Sequence, residues 1–138
     1  MSGPRVLTVG NMYPPHHLGG AELIWHSWVE AARARGWRVR VLVSDWRAPL
    51  PDASVGETSD VHRELPWYWR DHRFPRLGPV RRLAIERRAR VAFDSHLASF
   101  DPDVVVWWSM GGMPLSLLER PAAAGVPAVG VLLDEWLG

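Results

Sequence analysis

The 138-residue chain contains no cysteine. That excludes a disulfide framework, a thiolate nucleophile and any cysteine-ligated metal site. Lysine is absent too: all 16 Lys+Arg residues are arginine, set against 15 Asp+Glu for a net charge of +1. So neutral a balance argues against nucleic acid as a partner, although arginine is well suited to phosphate. No apolar run approaches the roughly 20 residues that a spanning helix needs. The short run Arg5 to Val9 is not followed by the small-residue cleavage site of a signal peptide. A cytoplasmic protein is expected, with contact at a membrane surface left open. Neither G-x-G-x-x-G nor G-x-x-x-x-G-K-[ST] occurs, so the common dinucleotide and P-loop fingerprints fail.

What is present suits one compact domain. Hydrophobic residues make up 47% of the chain, enough for a core and too many for disorder. Arg5 to Asn11, "RVLTVGN", reads as a buried strand ending in a turn. From about Gly20 to Arg35 the residues Ala21, Ile24, Trp25, Trp28, Val29 and Ala32 recur at helical spacing on one face. Gly36 is a natural stop. Trp37 to Asp45 becomes wholly apolar, as a strand covered on both faces does. A strand, a helix and a strand in tight succession form a right-handed βαβ unit.

Trp46 to Pro79 breaks the pattern with five prolines and interleaved Trp and Arg. It reads as a long irregular excursion with a short strand near Val61 to Leu65. It could pack on the sheet, line an acceptor site or touch a membrane. Helical spacing resumes from Val80 to Phe100 through Ile85, Ala89, Ala92, Phe93, Leu97 and Phe100. "DPDVVVWWS" reads as a third strand of the sheet. A short helix is expected from about Met113, and "GVPAVGVLLDEW" reads as a last strand. The alternation predicts an α/β fold: a Rossmann-like three-layer sandwich with a mostly parallel central sheet. Ligands of such folds bind beyond the carboxyl ends of the strands. Three loops meet that edge: Asn11 to Gly20, Ser109 to Met113, and Asp134 to Gly138.

Gly19-Gly20 opens the first helix. Free N–H groups and the helix dipole favour an anion there, and glycine lets it approach closely; a Gly pair can also simply make a turn. His16-His17 reads as part of an exposed loop, with no third ligand spaced for zinc. His26 falls on the polar helix face, and His96 reads as structural. Asp45, at the end of the second strand, leaves a nicotinamide-dependent oxidoreductase as a weak option.

The phrase "VLTVGNMYPPHHLGGAELIWHSWVEAARARGWRVRVLVSD" resembles the opening of the retaining, GT-B-fold glycosyltransferases of the large bacterial group-one family. The phrase "PDVVVWWSMGGMPLSLLERPAAAGVPAVGVLLDEW" is similar to that family's later strand, glycine loop, helix and Asp-x-Trp end. Together they cover all but roughly Trp46 to Phe100. The resemblance implies the amino-terminal, acceptor-side domain of an enzyme that moves a sugar from a UDP- or GDP-sugar to a sugar, lipid or small-molecule acceptor. No cofactor and no metal are implied. Gly19 and Gly20 would hold the donor diphosphate. Asn11, Tyr13, Glu22, Trp108, Ser109, Met110, Gly111 and Gly112 would line the acceptor and sugar cleft, and Asp134 is the candidate catalytic residue.

Two positions depart from the family pattern. Trp108 stands where the family usually has histidine, and Leu133 precedes Asp134 where histidine is common. The family's carboxyl-terminal domain, with its paired glutamates and most donor contacts, has no counterpart in these residues. A fragment is therefore expected, inactive alone and prone to self-associate through Val131, Leu132, Leu133, Trp136 and Leu137. The alternative is a non-catalytic α/β binding or interaction module.

Overall fold

The computed structural model describes residues 3–56, 60–69 and 73–133. Five strands form one sheet: β1 (Arg5–Gly10), β2 (Arg38–Ser44), β3 (Val61–Leu65), β4 (Val104–Trp107) and β5 (Ala128–Gly130). Their order is β3-β2-β1-β4-β5, and every pairing is parallel. Helix α1 (Gly20–Ala34) links β1 to β2, and α2 (Pro79–Phe100) precedes β4. The fold is the expected α/β, Rossmann-like arrangement, with the sheet wholly parallel among the described residues.

Strand alternation divides the core in two. Val6, Val39, Val41, Val43, Val106 and Trp108 face α1, where Trp25, Val29 and Ala32 meet them. Leu7, Val9, Leu42, Leu65, Val105 and Trp107 face α2, where Ala89 and Phe93 meet them. Both faces are covered, which explains why these strands read as continuous apolar runs. Thr8 joins the α1 side because its hydroxyl accepts from the buried Trp25 indole N–H at 2.8 Å. Gly10 is glycine for packing: a Cβ there would lie 2.6 Å from the Trp25 ring.

Helix α1 stops where expected, with Gly36 at φ 84°. Its stripe is narrower than the spacing suggests. Ile24 is 53% exposed, because Trp25 and Val29, one turn apart, occupy the centre of the buried face. Helix α2 has Pro79 in its first turn and ends at Asp101, in the left-handed region at φ 49°. Arg5 braces that turn, donating to the Asp101 carbonyl at 2.8 Å and its carboxylate at 3.1 Å.

Two elements differ from expectation. The helix anticipated from Met113 is a 3-10 turn over Leu115–Glu119 followed by a single α turn, α3 (Arg120–Ala123). Pro121 lacks an N–H to donate to a continuous helix, so the ladder is broken there. The last strand extends only over Ala128–Gly130, all exposed, because β4, its one neighbour among the described residues, is itself four residues long.

Candidate functional site

Asn11, just past β1, ties together the carboxyl ends of three strands. Its N–H donates to the Ser109 carbonyl at 2.7 Å. Its side-chain amide donates to Ser109 Oγ at 3.0 Å and accepts from the Gly112 N–H at 3.0 Å. Its carbonyl accepts from the Ser44 hydroxyl at the end of β2. Asn11 therefore positions the loop after β4; its amide is committed to the protein.

A crevice of about 20 Å³ opens beside it, lined by Asn11, Met12, Ala21, Glu22, Trp25, Trp108, Ser109, Val131 and Leu133. That is room for about one water molecule. Two polar atoms of this lining are buried without a hydrogen-bond partner: Glu22 Oε2 and Trp108 Nε1. One accepts and the other donates, and a ligand hydroxyl, which does both, satisfies either. Trp108 is fixed by stacking on Trp25, with ring centroids 5.8 Å apart, and by Trp28 at 6.0 Å.

The loop before α1 is held from below. His16 is 7% exposed and its Nδ1 accepts from the Ala48 N–H at 3.1 Å. His17 Nε2 lies 3.0 Å from Asp52 Oδ2, and its Nδ1 lies 3.1 Å from the Gly19 carbonyl oxygen. Hydrogen bonds from Ser54 and His17 hold the Asp52 carboxyl down at about 2. The exposed histidine loop expected from sequence is thus a clamp, with its ring nitrogens engaged by the protein. His26, expected to be solvated, is half-buried and tilts over Tyr13, ring centroids 5.7 Å apart.

At the head of α1, Gly19 is extended (φ −147°, ψ −173°) and no side chain caps the helix. A Cβ on Gly20 would meet nothing within 4 Å, and one on Gly19 would meet only Glu22 Oε2 at 3.5 Å. Neither glycine is demanded by the backbone or by packing. The Glu22 carboxylate sits in the first turn, where the dipole favours negative charge.

Other expected site residues lie elsewhere. Tyr13 is 1% exposed and edge-on to Trp25 at 4.9 Å; burial pushes its phenol well above the ordinary range. Met110 is fully buried in the α2-side core. Neither lines the crevice, because each side chain follows the apolar face available to it. Gly112 is glycine for packing, since a Cβ would fall 2.0 Å from the Trp67 ring; Gly111 is open. Asp134, Trp136 and Leu137 lie outside the described residues. Asp45 accepts from the Trp67 N–H at 3.0 Å and pairs with Arg88 at 3.3 Å, which ties it to the excursion.

Comparison with protein-family models, curated proteins and solved structures finds no match to this chain. The assignment of function rests on the residues themselves. One further hollow concerns it. The excursion, the start of α2 and the 3-10 turn enclose about 760 Å³, lined by Tyr68, Phe74, Arg76, Leu77, Arg82, Leu115 and others. This is the size of a small-molecule site. Its walls are largely apolar, and Arg76 and Arg82 outnumber the one acidic lining residue, Glu86, which suits a ligand with an apolar body and a polar or anionic end. No tryptophan is among its lining residues, so the Trp stacking expected of the excursion does not build it; Arg76 is the part of the Trp and Arg composition that reaches it.

Proposed function

We propose that the chain is the acceptor-side domain of a retaining GT-B glycosyltransferase, moving a sugar from a UDP- or GDP-sugar to an acceptor. The observation that carries this reading is a coincidence at the carboxyl edge of the sheet. There an uncapped helix N-terminus, opened by two sterically unneeded glycines, adjoins two buried polar atoms suited to a hydroxyl. The Gly19 and Gly20 N–H groups would face the donor diphosphate. They would stabilise the departing charge electrostatically without a metal. Trp108 Nε1–H would donate to a ligand hydroxyl and Glu22 Oε2 would accept from it. Asp134 is kept as the candidate catalytic group. The 760 Å³ hollow would take the acceptor. The reading requires a second domain with the paired glutamates to hold the rest of the donor.

Gly20→Pro tests the diphosphate role. Proline suits the first helical position but carries no N–H, and the extended Gly19 tolerates a following proline. Losing one charge-assisted hydrogen bond of about 1.5–3 kcal/mol should weaken UDP binding at least tenfold in calorimetry while the melting temperature holds. Wild type and variant are compared in a polypeptide that also carries the donor-binding domain, and equal affinity there, or no UDP or GDP binding there, would sink the reading. The second reading, a non-catalytic binding module, is favoured by the narrowness of the crevice, about 20 Å³. A polypeptide that carries no donor-binding domain would decide for it.

A further inference from the structure

A second cluster of chemically capable side chains lies on the other half of the sheet, at the junction of edge strand β3 and helix α2. His62 and Glu64, two residues apart on β3, project to the same face. His96 lies about one turn before the end of α2. Glu64 Oε2 lies 2.9 Å from His96 Nε2 and 3.2 Å from His62 Nδ1. One donor atom from each of the three residues falls within 4.8 Å of the others. The two imidazole rings meet edge to face at 4.7 Å.

We propose that His62, Glu64 and His96 bind a divalent cation of the zinc class and thereby pin β3 to α2. Ligand atoms about 2.0–2.2 Å from a tetrahedral zinc ion lie about 3.3–3.6 Å apart. The two separations to Glu64 are within a few tenths of an ångström of that spacing and the third lies within 4.8 Å, so side-chain rotation that draws the two imidazoles together seats the ion. Two imidazoles and a carboxylate, with no thiolate, suit zinc among the common ions. His96 is 5% exposed and rigidly placed, whereas Glu64 is half exposed, which leaves an entry path and a fourth position for water. Asp60 Oδ1 lies 3.6 Å from His62 Nε2, an ion-pair distance that a small shift would shorten to the carboxylate–histidine hydrogen bond common behind bound metal.

One neighbour opposes binding. Arg40 Nη1 lies 3.3 Å from His96 Nδ1. Donation from Arg40 leaves the imidazole proton on Nε2, facing Glu64. Coordination through Nε2 requires the neutral tautomer with its proton on Nδ1, which cannot accept from Arg40, so Arg40 must then turn away. Its other contacts can retain it: Ser99 Oγ at 3.1 Å, Asp60 at 4.0 Å and the face of Phe100 at 4.6 Å.

The test is zinc titration of the full chain by calorimetry at neutral pH, with cobalt(II) as a spectroscopic probe. One zinc per chain and the visible band of a tetrahedral cobalt site are expected. His62→Ala and Glu64→Gln should each weaken binding by about tenfold or more, the scale on which even outer-shell losses are felt. Both residues are partly exposed, so the variants should fold, which circular dichroism verifies. His17→Ala should leave zinc uptake unchanged. Absence of saturable uptake, uptake that survives both β3 substitutions, or uptake abolished by His17→Ala would overturn the proposal.

Discussion

A Cβ on Gly112 would lie 2.0 Å from the Trp67 ring, closer than any side chain tolerates. Trp67 packs against the α2-side core and its backbone N–H donates to Asp45, so the residue is anchored and its ring can leave only by giving up that packing. Gly112→Ala should therefore cost about 1–3 kcal/mol, the usual range for overpacking a well-filled interior, measured by urea unfolding. Gly111→Ala, where nothing lies within 4 Å, should be close to neutral. Equal stability of the two variants would refute this account. The sequence shows a Gly-Gly pair after a strand and suggests a ligand loop. It does not show that one glycine makes room for a tryptophan 45 positions earlier in the chain. The same blindness affected Tyr13 and Met110: a loop has no period, so nothing local tells which of its apolar side chains turn inward. Asn11 and Trp108 were legible as residues of the site edge, because both terminate strands whose direction the sequence makes plain.

Elements were read more reliably than loops. β1, α1, β2 and α2 stand within about two residues of their expected bounds, since each has a sustained apolar period bounded by Gly or Pro. β3 was anticipated as a short strand, but its parallel pairing with β2 brings His62 and Glu64 to His96, a meeting that no local pattern encodes. The burial of His96 at this junction makes the α2–β3 contact sensitive to pH. Burial holds the His96 imidazole below its ordinary 6.5, with the Glu64 hydrogen bond and charge pulling upward and His62 and Arg40 adding to the depression. The unfolded chain then takes up a proton at His96 more readily than the folded one. Stability is full above about 6.5 and falls as pH drops from there toward the lower folded value. Melting temperatures recorded from pH 8 to pH 5 with chelator present should be flat, then decline, and His96→Gln should flatten the acid limb. A wild-type melting temperature that rises on acidification, or a decline equally steep in His96→Gln, would contradict the assignment.

At the scale of the whole molecule, the two sheet edges are unlike each other. β3 carries His62, Arg63 and Glu64, charges of the kind that discourage strand addition. β5 carries Ala128, Val129 and Gly130, all exposed. Val129 is 54%, Leu132 60% and Leu133 48% exposed beside it. An apolar edge of this kind invites another strand or a hydrophobic partner. Hiding about 400 Å² per chain would contribute of the order of 10 kcal/mol from each at roughly 25 cal/mol per Å². Association itself costs about 4–15 kcal/mol, and a total of about 800 Å² lies below a standard stable interface. The expected outcome is weak, concentration-dependent self-association through β5, rather than a tight dimer. Light scattering across a concentration series measures it. Val129→Lys and Leu132→Asp should abolish it without lowering the melting temperature, because neither side chain is in the core. Gly20→Pro and His62→Ala, at the helix N-terminus and on the opposite edge, should leave it intact. A chain monomeric at every concentration would show that solvent tolerates this edge. Self-association untouched by the two β5 substitutions would place the contact on another face.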